Sequence, residues 1–126
     1  VRLAVCIKGE ETYIGNIYLT EIDNFNKNAE FGKLIGDKRY WRSGYATEAT
    51  LLMLRHAFYD LGLERISARQ LLSNKASIRV NEKCGFMNEG IARRAIFKNG
   101  TFQDLNVMAC LRSDFDKAWK RYLDSK

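Results

Sequence analysis

Residues 40 to 50, Tyr-Trp-Arg-Ser-Gly-Tyr-Ala-Thr-Glu-Ala-Thr, join two segments of opposite character, and that junction restricts the folds open to the chain. Before it lies a short apolar segment, Phe31 to Ile35. After it, Leu51, Leu54, Phe58 and Leu61 recur at three- and four-residue steps, with Leu52 and Ala57 widening the stripe. This spacing predicts a helix from about Thr47 to Leu61, closed by Gly62 as a left-handed cap. Arg65 to Arg69 reads as the next strand. A strand, helix and strand of this length form a crossover unit, which sets the two strands parallel. The junction itself is basic, contains Gly44 and has almost no bulky side chains after Trp41. A helix N-terminus offers N–H groups without internal partners and the positive end of the helix dipole. Arg42 to Thr47 therefore read as a cradle for an anion, such as the pyrophosphate of a nucleotide-like cofactor.

The remaining segments fit around that unit. Arg2 to Lys8 and Tyr13 to Thr20 alternate as strands across the turn Lys8-Gly9-Glu10-Glu11, and Ala29 to Ile35 makes a third. Three consecutive strands with short links form an antiparallel meander. Downstream, Ser73 or Asn74 caps a helix that runs to about Lys83 and is stopped by Gly85. Phe86 to Phe97 and Phe102 to Leu111 form a hairpin across Lys98-Asn99-Gly100-Thr101. Ser113 with Asp116 resembles a capping box for a last helix, whose apolar face is Phe115, Ala118, Trp119 and Tyr122. The expected fold class is α/β (α+β): one domain over residues 1–126, with a mixed sheet flanked by helices.

Composition removes several function classes. No run of about 18 apolar residues occurs, so no transmembrane helix and no membrane partner is expected. Three widely spaced cysteines, Cys6, Cys84 and Cys110, fit free thiols in a reducing compartment, hence a cytoplasmic location, better than a disulfide framework or zinc site. His56 stands alone inside a helical pattern and reads as structural, so no metal site is expected. The net charge of +6 and pI near 9.3 suit either a lysine-rich surface or attraction to an anionic ligand. No arginine-rich helix or basic–aromatic alternation points to nucleic acid. The expectation is surface charge plus a phosphate-bearing ligand.

Three blocks carry a resemblance. Tyr40 to Ala49 (Tyr-Trp-Arg-Ser-Gly-Tyr-Ala-Thr-Glu-Ala) resembles the acyl-CoA signature of the GNAT superfamily of N-acetyltransferases. The branch it most resembles contains the RimJ/RimL ribosomal-protein and spermidine acetyltransferases, which often carry tryptophan where Trp41 stands. Asn74 to Phe86, which includes Asn81-Glu82-Lys83-Cys84-Gly85-Phe86, has the spacing of the later motif, and Gly100-Thr101-Phe102-Gln103-Asp104 matches the closing hairpin. One glycine motif is weak, whereas three blocks in order over about residues 5 to 115 are specific.

The resemblance implies a mostly antiparallel sheet whose central parallel strands splay around acetyl-CoA as co-substrate. Arg42, Ser43, Gly44, Tyr45, Ala46 and Thr47 would hold the pyrophosphate through backbone N–H groups. Leu34, Ile35 and Gly36 would line the pantetheine arm, Asn74 would hydrogen-bond it, and Ser77 and Lys83 would lie near it. The reaction implied is direct attack of a primary amine, on a small molecule or a peptide, on the thioester. Glu30 stands where relatives often carry a glutamate base; its apolar neighbours would push a carboxyl pKa upward. The opposing reading is a surface glutamate. A backbone N–H near Leu34 to Gly36 would stabilise the oxyanion.

Two departures stand out. Asn81 occupies the place where many relatives put a tyrosine that protonates the leaving thiolate, which leaves that role unassigned; CoA thiolate is already a good leaving group that solvent could protonate, and Tyr40 and Tyr45 are substitutes by residue type. Relatives also carry a further strand and one or two helices before the point where this chain begins. The resemblance thus implies an N-terminally truncated domain, and the bared sheet edge suits a homodimer. A catalytically silent acyl-CoA-binding module is the alternative to an enzyme, and a basic nucleic-acid-binding domain is a third reading.

Overall fold

The computed structural model describes residues 2–7, 12–35 and 44–126, with the backbone alone for Ile7, Thr12, Leu34 and Ile35. Its elements follow in the order β1 (Arg2–Ile7), β2 (Thr12–Asp23), β3 (Asn28–Ile35), α1 (Tyr45–Arg55), β4 (Arg65–Leu71), α2 (Lys75–Lys83), β5 (Met87–Lys98), β6 (Thr101–Leu111) and α3 (Arg112–Asp124). Helix α1 continues through a π turn, His56–Asp60, and Gly62 closes it at φ 71°. Six strands form one sheet in the order β1-β2-β3-β4-β6-β5. All neighbours are antiparallel except β3 and β4, the pair linked by the α1 crossover. The meander, the crossover and the closing hairpin stand as the hydrophobic periods predict. The turn at Lys8 to Glu11 lies outside the described residues.

Alternation along the strands decides where the core sits. Ile17 and Leu19 of β2, Ala29 and Phe31 of β3, Ile66 and Ala68 of β4, and Met108 and Cys110 of β6 are buried in one cluster. Leu51, Leu54, Ala57 and Phe58 and, from α3, Phe115 and Ala118 complete that cluster. The helices therefore cover one face of the sheet. Phe31 packs on Phe86 with ring centroids 6.1 Å apart, and Phe58 on Phe115 at 5.6 Å. The other face presents the residues of opposite parity, among them Tyr18, Thr20, Glu30, Ser67 and Arg69.

The start of α3 and the β5–β6 link show local chemistry at work. Asn99 and Gly100 have φ of 53° and 79°, as a two-residue hairpin turn between right-twisted strands requires. The expected Ser113 cap is not used. Strand β6 runs straight into α3 at Arg112, and the Asp114 carboxylate accepts from the Leu111 N–H at 3.1 Å, so the helix starts earlier than Ser113 would place it.

Candidate functional site

Strands β3 and β4 pair only at their beginnings: Asn28 with Arg65, Ala29 with Ile66, and Glu30 with Ser67. Beyond that point each strand keeps its outer neighbour, β2 for one and β6 for the other, while the two diverge from each other. In an antiparallel ladder alternate residues turn their N–H and C=O groups away from the partner. Phe31 to Ile35 and Ala68 to Leu71 therefore present backbone hydrogen-bonding groups to a wedge-shaped gap in the middle of the sheet. Because the two strands are parallel, the helices that follow them both begin at the open end of this wedge. Ligands of open α/β sheets bind at such a place, outside the carboxyl ends of parted strands.

The described part of the expected anion cradle is the N-terminus of α1. Gly44 caps it at φ 90°, and a Cβ built there meets nothing within 4 Å. The Glu48 N–H to Gly44 C=O bond, 3.0 Å, is where intrahelical bonding begins. The N–H groups of Ala46 and Thr47 thus have no intrahelical acceptor. Ala46 is buried and Tyr45 and Thr47 are partly buried. The Thr47 carbonyl lies 3.6 Å from the Cys84 thiol, tying the start of α1 to the end of α2. Arg42, Ser43 and Gly36, and likewise Tyr40 and Trp41, lie outside the described residues. Leu34 and Ile35 are on the diverging part of β3.

At α2, Asn74 is the cap, its side-chain oxygen accepting from the Ser77 N–H at 3.2 Å. That bond uses the carbonyl half of the amide, so only the NH2 half is left for a ligand. Ser77 lies in the first turn, beside the open end of the wedge, whereas Lys83 is in the last turn and exposed, away from it.

Glu30 is on the open face at the vertex of the wedge, its side chain 20% exposed. It accepts from the Arg69 Nε at 2.9 Å and from a terminal guanidinium nitrogen at 3.3 Å. Its surroundings are therefore not simply apolar, as its sequence neighbours suggest; register brings a guanidinium across from β4. On the same face Tyr18 lies flat over Gly32, where a Cβ would be 2.2 Å from the ring. A glycine inside a strand signals such close approach.

The helix-side face of the wedge holds a group that a surface reading of lysine misses. Lys33 follows Ala29 and Phe31 on the inward parity of β3, and its ammonium donates to Asn81 Oδ1 at 2.5 Å, 5.4 Å from the centroid of the Phe31 ring. Asn81 is 1% exposed and donates in turn to Gln70 Oε1 at 3.0 Å. Gln70 donates to Asn106 Oδ1 at 2.7 Å, and Asn106 to Asn88 Oδ1 at 3.0 Å. Among the described residues Lys33 has no carboxylate partner. Burial pushes its pKa down to about 8 from an ordinary 10.5. The Cys84 thiol is pushed up to about 12, also by burial, and stays neutral.

The depressed lysine has a consequence for stability. Between about 8 and 10.5 the unfolded chain holds a proton that the folded chain has lost, so stability rises with pH across that window. Below it the folded protein carries the cost of a partly buried cation, on the order of 1–3 kcal/mol after solvent screening. Lys33→Met is expected to raise the denaturation midpoint at pH 7 and to lose that difference from the parent by pH 10.5. Chemical denaturation of both proteins across pH measures it; a variant less stable than the parent at pH 7 would refute the burial cost.

A parallel strand pair parted at its carboxyl ends, with a glycine-capped helix at the opening, defines an α/β class of ligand-binding domain rather than a catalytic chemistry. The model of the acetyltransferase (GNAT) domain matches residues 1–87, and the chain belongs to that family. It is 37% identical over 105 residues to the probable N-acetyltransferase YjcK of Bacillus subtilis, covering 83% of this chain and 58% of that protein. It is 29% identical over 100 residues to the ribosomal-protein-serine acetyltransferase of Escherichia coli, covering 79% of this chain and 55% of the relative. A crystal structure of spermidine N-acetyltransferase from Vibrio cholerae in complex with CoA and spermine superposes with a TM-score of 0.78 at 29% identity, covering 85% of this chain and 63% of that one. The chain thus spans little more than half the length of these curated relatives. Among the described residues, no helix is long and apolar enough to cross a membrane.

Proposed function

We propose that this domain is an acetyl-CoA-dependent N-acetyltransferase acting on a primary amine. The observation that carries the reading is the wedge: two parallel strands that leave each other after three paired residues, with the Gly44 helix start at its open end. Exposed backbone groups on both walls suit the amides of a pantetheine arm, and the N–H groups of Ala46 and Thr47 suit its pyrophosphate. Arg42, Ser43, Tyr45, Leu34, Ile35, Gly36, Asn74 and Ser77 belong to the same proposed contact surface. When bound, the co-substrate supplies the activated acyl group.

The protein's own part is to orient and to handle protons. Glu30, on the open face beside the vertex, is the proposed base that takes the proton of the attacking amine, directly or through water. Arg69 holds its carboxylate in place by two hydrogen bonds. The acceptor is then a cationic amine arriving over Tyr18 and Glu30, with polyamines and peptide N-termini as the first classes to try. A homodimer through a sheet edge and a cytoplasmic location belong to the same proposal; light scattering giving the mass of one chain would remove the dimer.

The deciding experiment measures CoA binding by calorimetry, and thiol release from acetyl-CoA in the presence of spermidine, spermine and a serine-initiated peptide. Binding with amine-dependent release is expected. Glu30→Gln is expected to lower kcat by about 100-fold with CoA affinity unchanged. Asn81, which cannot serve as an acid, favours a second reading, a silent acyl-CoA-binding module. Binding without release for any amine would support that reading, and no binding at all would overturn both.

A further inference from the structure

We propose that Lys33 faces the thioester sulfur and protonates the departing CoA thiolate, filling the role for which Asn81 has no proton to give. This rests on the acetyltransferase reading and adds to it a residue with a stated position. Three observations converge. Lys33 is on the part of β3 that has left β4, so its ammonium lies at the wall of the wedge and not on the outer surface. It bonds to Asn81 on α2, which fixes it on the helix side, while Glu30 and Arg69 are on the opposite face. The wedge thus has a carboxylate on one side and an ammonium on the other, the arrangement needed when a proton leaves the incoming nitrogen and another reaches the outgoing sulfur.

The third observation is cost. A partly buried ammonium whose partner among the described residues is a neutral amide and not a carboxylate lowers stability, and such a group is kept where its charge is used. Two ionisable groups among the described residues meet at this wall, Lys33 and Cys84, and the thiol is held neutral by its own burial. The remaining polar groups there, Asn81, Gln70 and Asn106, do not titrate. An acid with a pKa near the working pH is well matched to a thiolate. The step balances as follows: the C–N bond forms and the C–S bond breaks, the amine proton passes to Glu30 or water, and the Lys33 proton passes to sulfur. Neutral Lys33 regains a proton from water before the next turnover.

The test is made on the CoA complex as well as on turnover. Thiolate absorbance of bound CoA is followed against pH in the parent, Lys33→Met and Lys33→Arg. A charge that persists beside the sulfur, as in Lys33→Arg, lowers the thiol midpoint by about one pH unit or more relative to Lys33→Met, with the parent between the two because Lys33 itself loses its proton at about 8. In turnover, Lys33→Met is expected to lower kcat by about 100-fold and to lose an alkaline limb that falls as pH rises through about 8. Equal midpoints in Lys33→Arg and Lys33→Met, with CoA bound in both, would overturn the role of Lys33 while leaving the acetyltransferase reading intact. Absence of CoA binding by the parent would overturn that reading instead. Acetylation of Lys33 itself on incubation with acetyl-CoA, seen by mass spectrometry, would make it an acceptor and also refute the proposal.

Discussion

Gly44→Val is expected to weaken CoA binding by about 100-fold or more, close to 3 kcal/mol, while the domain remains folded. Two separate effects add. At φ 90° a β-branched residue is strained, so the start of α1 must turn to a new conformation, and the N–H groups of Ala46 and Thr47 turn with it. The side chain would also project into space where, chain neighbours aside, no atom of the described residues lies within 4 Å, the space proposed for phosphate oxygens. That same emptiness means that the protein interior does not resist the substitution, so the loss of stability should be limited to about 1–2 kcal/mol of backbone strain. Calorimetric titration with CoA, beside a melting curve, reads the two effects independently. An affinity within threefold of the parent would remove the anion cradle from the site.

Gly85→Ala is expected to act through stability alone, by about 2–4 kcal/mol. Here φ is 105°, and a Cβ would lie 2.7 Å from the backbone oxygen of Asp114 at the start of α3. Backbone cannot rotate away as a side chain can, so α2 and α3 must separate. Gly62 supplies the control: its φ is 71°, but a Cβ there meets nothing within 4 Å. Gly62→Ala should therefore lose only the conformational part, about 1 kcal/mol. Equal losses in the two variants, measured by urea denaturation, would show that the contact with Asp114 carries no energy.

Much of this organisation was legible in local pattern. The α1 helix and its Gly62 stop, the Asn74 cap and the Asn99-Gly100 turn are short-range chemistry and stand where their residues put them. Of the expected apolar stripe, Leu51, Leu54, Ala57 and Phe58 are buried, whereas Leu52 and Leu61 are 51% and 37% exposed. The parallel relation of β3 and β4 followed from the crossover. What the local pattern lacks is how soon those strands part, because the number of paired residues depends on twist and on what their outer neighbours hold. The Glu30–Arg69 contact joins residues 39 apart in sequence and depends on that register. Lys33 could have been found by counting alternate positions from Ala29 and Phe31. A lysine in a strand is ordinarily read as a solvent residue, and no local signal marks this one as an exception.

The line of side chains from Lys33 to Asn88 has a polarity. An ammonium can only donate, so Asn81 must turn its oxygen toward Lys33 and its NH2 toward Gln70. Gln70 and Asn106 are then oriented in the same sense, as far as the outermost strand. Every amide dipole in the row has its negative end facing the cation, which helps a partly buried charge that has no carboxylate partner among the described residues to persist. One residue at the wedge thereby dictates the orientation of an amide on the far edge of the sheet. An acceptor-only group at position 33 would ask the whole row to reverse, so the side-chain NH2 resonances of Asn106 are a remote gauge of the proton donor beside the sulfur.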